Sequence, residues 1–97
     1  MSTLHVLSHS PFGDDRLTSC LRLMGADDAL LLTGDAVYAL QPGTAPFKAL
    51  NARTLKLFVL TEDAQARALE IPDTAKAIDY PAFVELSIHY DKVNSWL

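Results

Sequence analysis

The 97 residues include one cysteine, Cys20, so neither an internal disulfide nor a cysteine-cluster metal site can form. A lone thiol suits a reducing compartment. Basic residues are also scarce, with 8 Lys and Arg against 12 Asp and Glu and a formal net charge of −4. This balance lacks the electrostatic footprint of a nucleic-acid-binding surface, and no direct nucleic-acid contact is expected. Long apolar runs are missing. The longest, Ala29 to Leu32, falls far short of the roughly 20 residues that span a bilayer. The stretch from Met1 to Ser10 has no basic segment leading into an apolar one, as a signal peptide would. The expectation is a soluble, cytoplasmic protein with no membrane contact. Established catalytic signatures are absent too. GxGxxG, the P-loop, HExxH and GxSxG do not occur, and the carboxylates show no spacing that singles out an acid–base pair. No cofactor and no resident metal are expected.

What is present is an ordinary globular composition, 49% hydrophobic and 21% charged. The length predicts one domain, residues 1–97, with a thin core that oligomerisation would help. Thr3 to Leu7 is β-prone, and Ser10-Pro11 or Asp14 can open the helix that follows. Leu17, Cys20, Leu21 and Met24 recur at helical spacing up to Gly25. Asp28 to Thr33 and Leu55 to Leu60 are near-continuous apolar runs, as strands buried on both faces require. Thr61-Glu62-Asp63 reads as a cap and acidic first turn, Ala75 to Ile78 as a short strand, and Asp79-Tyr80-Pro81 as a helix start. On that last helix Phe83, Val84, Ser87 and Ile88 share a face. The segment Ala36 to Leu40 stays open between a hairpin return and a short helix. Alternating strands and helices predict an α/β fold: a single-domain three-layer sandwich of flavodoxin-like topology, with about four parallel strands and helices on both faces. Sites in such sheets gather beyond the carboxyl ends of the strands. Here those ends are Ser8-His9-Ser10, Thr33-Gly34-Asp35, Thr61-Glu62-Asp63 and Asp79-Tyr80.

Few residues there carry distinctive chemistry. Cys20 could hold a persulfide if a cation such as Arg16, one turn earlier, lowered its pKa. Its place on the stripe with Leu17, Leu21 and Met24 instead favours a small buried hydrophobe. His9, at a strand's carboxyl end, is the better functional histidine. His5 reads as a hydrogen-bonded structural residue, and two histidines without a third ligand make no metal site. His89 suits the negative end of a helix dipole. The ending Val93, Trp96 and Leu97 needs a surface to bury it, either its own domain or, the favoured reading, a partner.

Taken in order, these blocks resemble the TusB/DsrH family along essentially the whole chain. Leu4-His5-Val6-Leu7-Ser8-His9-Ser10-Pro11 looks like the family's opening LHxLxxSP. Leu30 to Ala39 resembles its LLLxDGVYAA block, and Leu57 to Leu69 its VYALxxDxxARG stretch. Ile78-Asp79-Tyr80 with Phe83-Val84-Glu85-Leu86 matches DYxxFVxL, and Trp96-Leu97 the aromatic ending. Two departures stand out. Gly34-Asp35-Ala36 replaces the common Asp-Gly, and Ala68 replaces the glycine after Arg67. The resemblance implies a DsrEFH-like fold and a noncatalytic subunit of a sulfur-relay heterohexamer, built with TusC/DsrF-like and TusD/DsrE-like partners, two copies of each chain. It implies a persulfide that resides on the TusD/DsrE-like chain, arrives from a TusA-like donor and leaves to a TusE-like acceptor. The end point is 2-thiolation of the tRNA wobble uridine; a DsrH-type role in sulfur oxidation is the alternative. Cys20 matches a cysteine of DsrH-type members that several TusB-type members lack. His9, Asp35, Tyr38, Trp96 and Leu97 are then candidate partner-interface residues.

Overall fold

Strand β1, Thr3–Leu7, alternates its side chains between two apolar layers, and the rest of the fold follows from filling both. In this computed structural model, which describes residues 2–96, the chain runs from β1 into helix α1, Arg16–Leu23, then β2, Ala29–Leu32. A 3-10 segment, Gly34–Leu40, and helix α2, Ala45–Asn51, lead to β3, Lys56–Leu60. Helix α3, Thr61–Ala66, leads to β4, Ala75–Ile78, and α4, Tyr80–His89, to β5, Lys92–Trp96. The sheet has five strands in the order β4-β3-β2-β1-β5, and every pair is parallel.

The order explains the layers. From β1 to β4 the chain steps repeatedly toward one edge, and right-handed crossovers put all the intervening helices on one face. Returning from β4 to β5 reverses the step, so α4 crosses the opposite face. Leu7, Leu30, Leu32, Leu57 and Val59 point into the first layer, where they meet Leu17, Cys20 and Leu21 of α1 and Ala36, Val37 and Leu40 of the 3-10 segment. Leu4, Ala29, Leu31, Leu60 and Ile78 point the other way, toward Tyr90 and the partly buried Ala82, Phe83 and Leu86. Each fully buried leucine of β2 contributes about 2 kcal/mol.

Two expectations are corrected and one open alternative is resolved. The sheet has five strands where about four were expected, because the ending forms β5 beside β1, with Leu4 opposite Val93 and Leu7 opposite Trp96. Of the two alternatives for Ala36 to Leu40, the structure takes the short helix, in the tighter 3-10 form and capped at Thr33 in place of Asp35. On α4 the sheet-facing residues are Ala82, Phe83 and Leu86, while Val84 and Ile88 face outward. That helix starts as read, with the Asp79 carboxylate accepting from the Ala82 N–H at 2.9 Å and Pro81 in its first turn.

Candidate functional site

Beyond the carboxyl ends of β1, β2 and β3 the backbone is tied into one cluster. The Thr33 N–H and hydroxyl both donate to the Leu7 carbonyl at 2.9 Å, which joins the ends of β1 and β2. Gly34 then takes φ +50°, and a Cβ there would lie 3.2 Å from the Ser8 carbonyl oxygen. Glycine fits both the left-handed backbone and the close approach. Its N–H donates to Asp63 Oδ2 at 2.8 Å, linking the end of β2 to α3.

One turn after Asp63, Arg67 reaches back over the same junction. Its Nε and Nη2 donate to Asp35 Oδ1 at 3.2 and 2.9 Å, and its Nη1 to the Asp63 carbonyl at 3.1 Å. The guanidinium also stands 5.8 Å from the centre of the Tyr38 ring, within cation–π range. Asp35, Tyr38, Asp63 and Arg67 thus form a cross-braced polar surface with no nucleophile. The sequence reading picked Asp35 and Tyr38 but passed over Asp63 and Arg67. The i, i+4 spacing between Asp63 of α3 and Arg67 at its C-terminal cap was the available signal.

The other candidates lie elsewhere. His9 is exposed in the loop after β1, where its charge helps to lower the Asp14 pKa, after the larger effects of Arg16. Arg16 itself pairs with Asp14 rather than serving Cys20. Trp96 is partly buried against the first layer, and its indole N–H donates to His5 Nδ1 at 3.1 Å. That bond leaves His5 Nε2 as the donor to Asp28 Oδ2, 3.3 Å away. Asp28 also accepts from the Thr3 and Gly25 N–H groups at 2.9 Å each. Burial pushes the Asp28 pKa up, but the Gly25, Thr3 and His5 hydrogen bonds outweigh it and hold the carboxyl below its ordinary value. Trp96, His5 and Asp28 therefore form a chain that fastens β5 to β1. Leu97 lies outside the described residues.

Cys20 is fully buried under the first layer. Burial pushes its thiol up to about 12, Asp28 adds to the rise, and Arg53 only partly offsets it. Both of these charged neighbours precede a strand, so the thiol senses the amino-terminal side of the sheet. It stands apart from the Asp35–Arg67 cluster. Among the described residues no group of three or more His, Cys, Asp or Glu side chains could hold a metal ion, and no helix is long and apolar enough to cross a membrane.

Residues 9–93 match the family model described as DsrH like protein. Protein TusB of Erwinia tasmaniensis is 39% identical over 95 residues, covering 96% of this chain and 99% of that protein. Protein TusB of Yersinia pestis is 37% identical over the same extent. The crystal structure of the ychN protein from E. coli superimposes with a TM-score of 0.73, covering 99% of this chain and 100% of that one at 16% identity, which speaks for the fold alone. With the family model spanning most of the chain and full-length relatives at this identity, the protein belongs to the DsrH/TusB family.

Proposed function

We propose that this chain is a noncatalytic subunit of a cytoplasmic sulfur-relay complex that serves 2-thiolation of the tRNA wobble uridine. Full-length similarity to TusB proteins supports the pathway. The observation that carries the noncatalytic role is the state of Cys20, fully buried and with its thiol pushed up to about 12. Persulfide exchange needs a thiolate that another protein can reach. Cys20 meets neither condition, which supports placing the persulfide on a TusD/DsrE-like partner, with a TusC/DsrF-like chain completing the complex. This subunit supplies surface. The braced Asp35–Arg67–Tyr38 cluster and exposed His9 present polar groups beyond the strand ends, where a neighbouring subunit can dock without meeting a competing nucleophile.

The test is complementation of a strain lacking this gene, with tRNA 2-thiouridine measured by mass spectrometry. Cys20→Ala retains most of the modification. A loss equal to that of the deletion, with the variant folded, overturns the noncatalytic assignment. Arg67→Ala, which frees Asp35 from its brace, lowers thiolation while the purified chain stays folded; unchanged thiolation removes the cluster from the docking surface.

A further inference from the structure

His5 is buried, 5% exposed, and both of its ring nitrogens are engaged. Nδ1 accepts from the Trp96 indole N–H at 3.1 Å, and Nε2 faces Asp28 Oδ2 at 3.3 Å. An indole N–H can only donate, so this bond requires a bare Nδ1 and hence a neutral imidazole. The two rings are tilted by 42° with centroids 6.1 Å apart, and the indole meets the imidazole through its N–H edge. That edge is the positive part of an aromatic ring. An imidazolium in this place therefore finds no π-face to replace the lost bond.

Protonation of His5 acts on its two partners in opposite senses. Nε2–H keeps Asp28 and gains an ionised one, because that carboxyl is held below its ordinary value. Nδ1–H is set against the indole N–H, donor against donor. Other charged and titratable groups surround the chain without restoring the bond. The Cys20 thiol of α1 and Tyr90 of the opposite layer both sense Asp28, and Arg53 acts on Cys20. Lys92 shares the face of β5 that carries Trp96. Among the described residues, His5 alone accepts from the indole.

Little else holds that end of β5. The strand lies at an edge of the sheet, and Trp96 is its one partly buried side chain. Its other end is tied by Ser2, whose N–H donates to Asp91 at 3.0 Å and whose carbonyl accepts from Lys92 at 3.1 Å.

We propose that the Trp96–His5–Asp28 chain is a pH-sensitive latch, in which protonation of His5 releases the Trp96 end of β5 from β1. The latch is closed while His5 is neutral and opens as pH falls through its titration. Opening uncovers the indole and one edge of β1, while the Asp91–Lys92 end stays tied. The latch does not depend on the sulfur-relay reading.

Amide hydrogen exchange of the full chain tests it, expressed as protection factors so that the intrinsic pH dependence of exchange cancels. From about pH 7.5 to about pH 5.5, where histidines titrate, the β5 amides nearest Trp96 lose protection about tenfold more than the β2 amides. His5→Gln, which keeps an acceptor and stays neutral, removes that difference. Trp96→Phe keeps a ring without the N–H and also removes it. Because Trp96 is only partly buried, this second variant serves if His5→Gln does not fold. Equal losses in β5 and β2 of the unaltered chain, or a β5-specific loss that persists in Trp96→Phe, overturn the proposal. So does a nitrogen NMR spectrum at neutral pH that places the proton of neutral His5 on Nδ1.

Discussion

Cys20 and Asp28 sit close enough for their charges to interact, yet the environment pushes them in opposite directions. Among the described residues no hydrogen-bond donor favours the charged form of the thiol, and burial decides. Raised from 9.0 to about 12, it holds about a thousandth of the thiolate expected at neutral pH, before shielding is counted. A soluble disulfide reagent at neutral pH therefore labels native Cys20 at least about a hundredfold more slowly than it labels the denatured chain. Equal labelling would mean that the thiol is open in solution. Asp28 has three donors around it, and for the carboxylate they outweigh burial. Its folded pKa lies below the unfolded value of about 3.9, so its stabilisation is fully present above that value and is lost as pH falls through the folded one. Asp28→Asn costs about 2 kcal/mol at pH 7, the scale of hydrogen bonds to a charged group, and less at pH 2, below the unfolded value. Denaturant melts followed through Trp96, the sole tryptophan, would show this; equal losses at both pH values would contradict it.

At the scale of elements, boundaries were more legible than faces. The start of α4 was readable because its determinants are local: a capping aspartate and a proline in the first turn. Which side of α4 meets the sheet was not readable, because apolar residues occupy both sides and the periodicity has no single answer. Strand β5 was missed because Lys92 to Trp96 has little β-propensity of its own. It becomes a strand through pairing with β1, some 90 residues away, and through the Trp96–His5 bond. The family's glycine after Arg67 was noted as missing, but its consequence needed the backbone. Ala68 ends α3 at φ +54°, in the left-handed region where a Cβ costs about 1 kcal/mol. Ala68→Gly therefore raises the melting temperature by about 5 °C. A lower melting temperature would mean that the turn is not held in this conformation.

The whole molecule is asymmetric between its two layers. One face of the sheet is covered by α1, the 3-10 segment, α2 and α3; the other is crossed by α4 alone, with its apolar outer stripe exposed. The sequence conveyed the parallel sheet and the family, since both follow from strand–helix alternation and block order. It did not convey the asymmetry, which depends on strand order and on the reversal between β4 and β5. The candidate site was half legible. Asp35 was visible at the carboxyl end of β2 and Tyr38 in the family block Leu30 to Ala39, whereas Asp63 and Arg67 join them only once α3 packs against the 3-10 segment. Together a buried thiol and a braced polar cluster support the proposed reading of a subunit that organises partners and leaves the sulfur to them. The most direct measurement is recovery of this tagged chain from its native cells after loading with a persulfide donor, with the intact mass of every recovered chain determined. The account predicts two small partners of similar fold, one carrying the added sulfur, and this chain at its unmodified mass. A one-sulfur adduct on Cys20, or recovery of this chain without those partners, would contradict it.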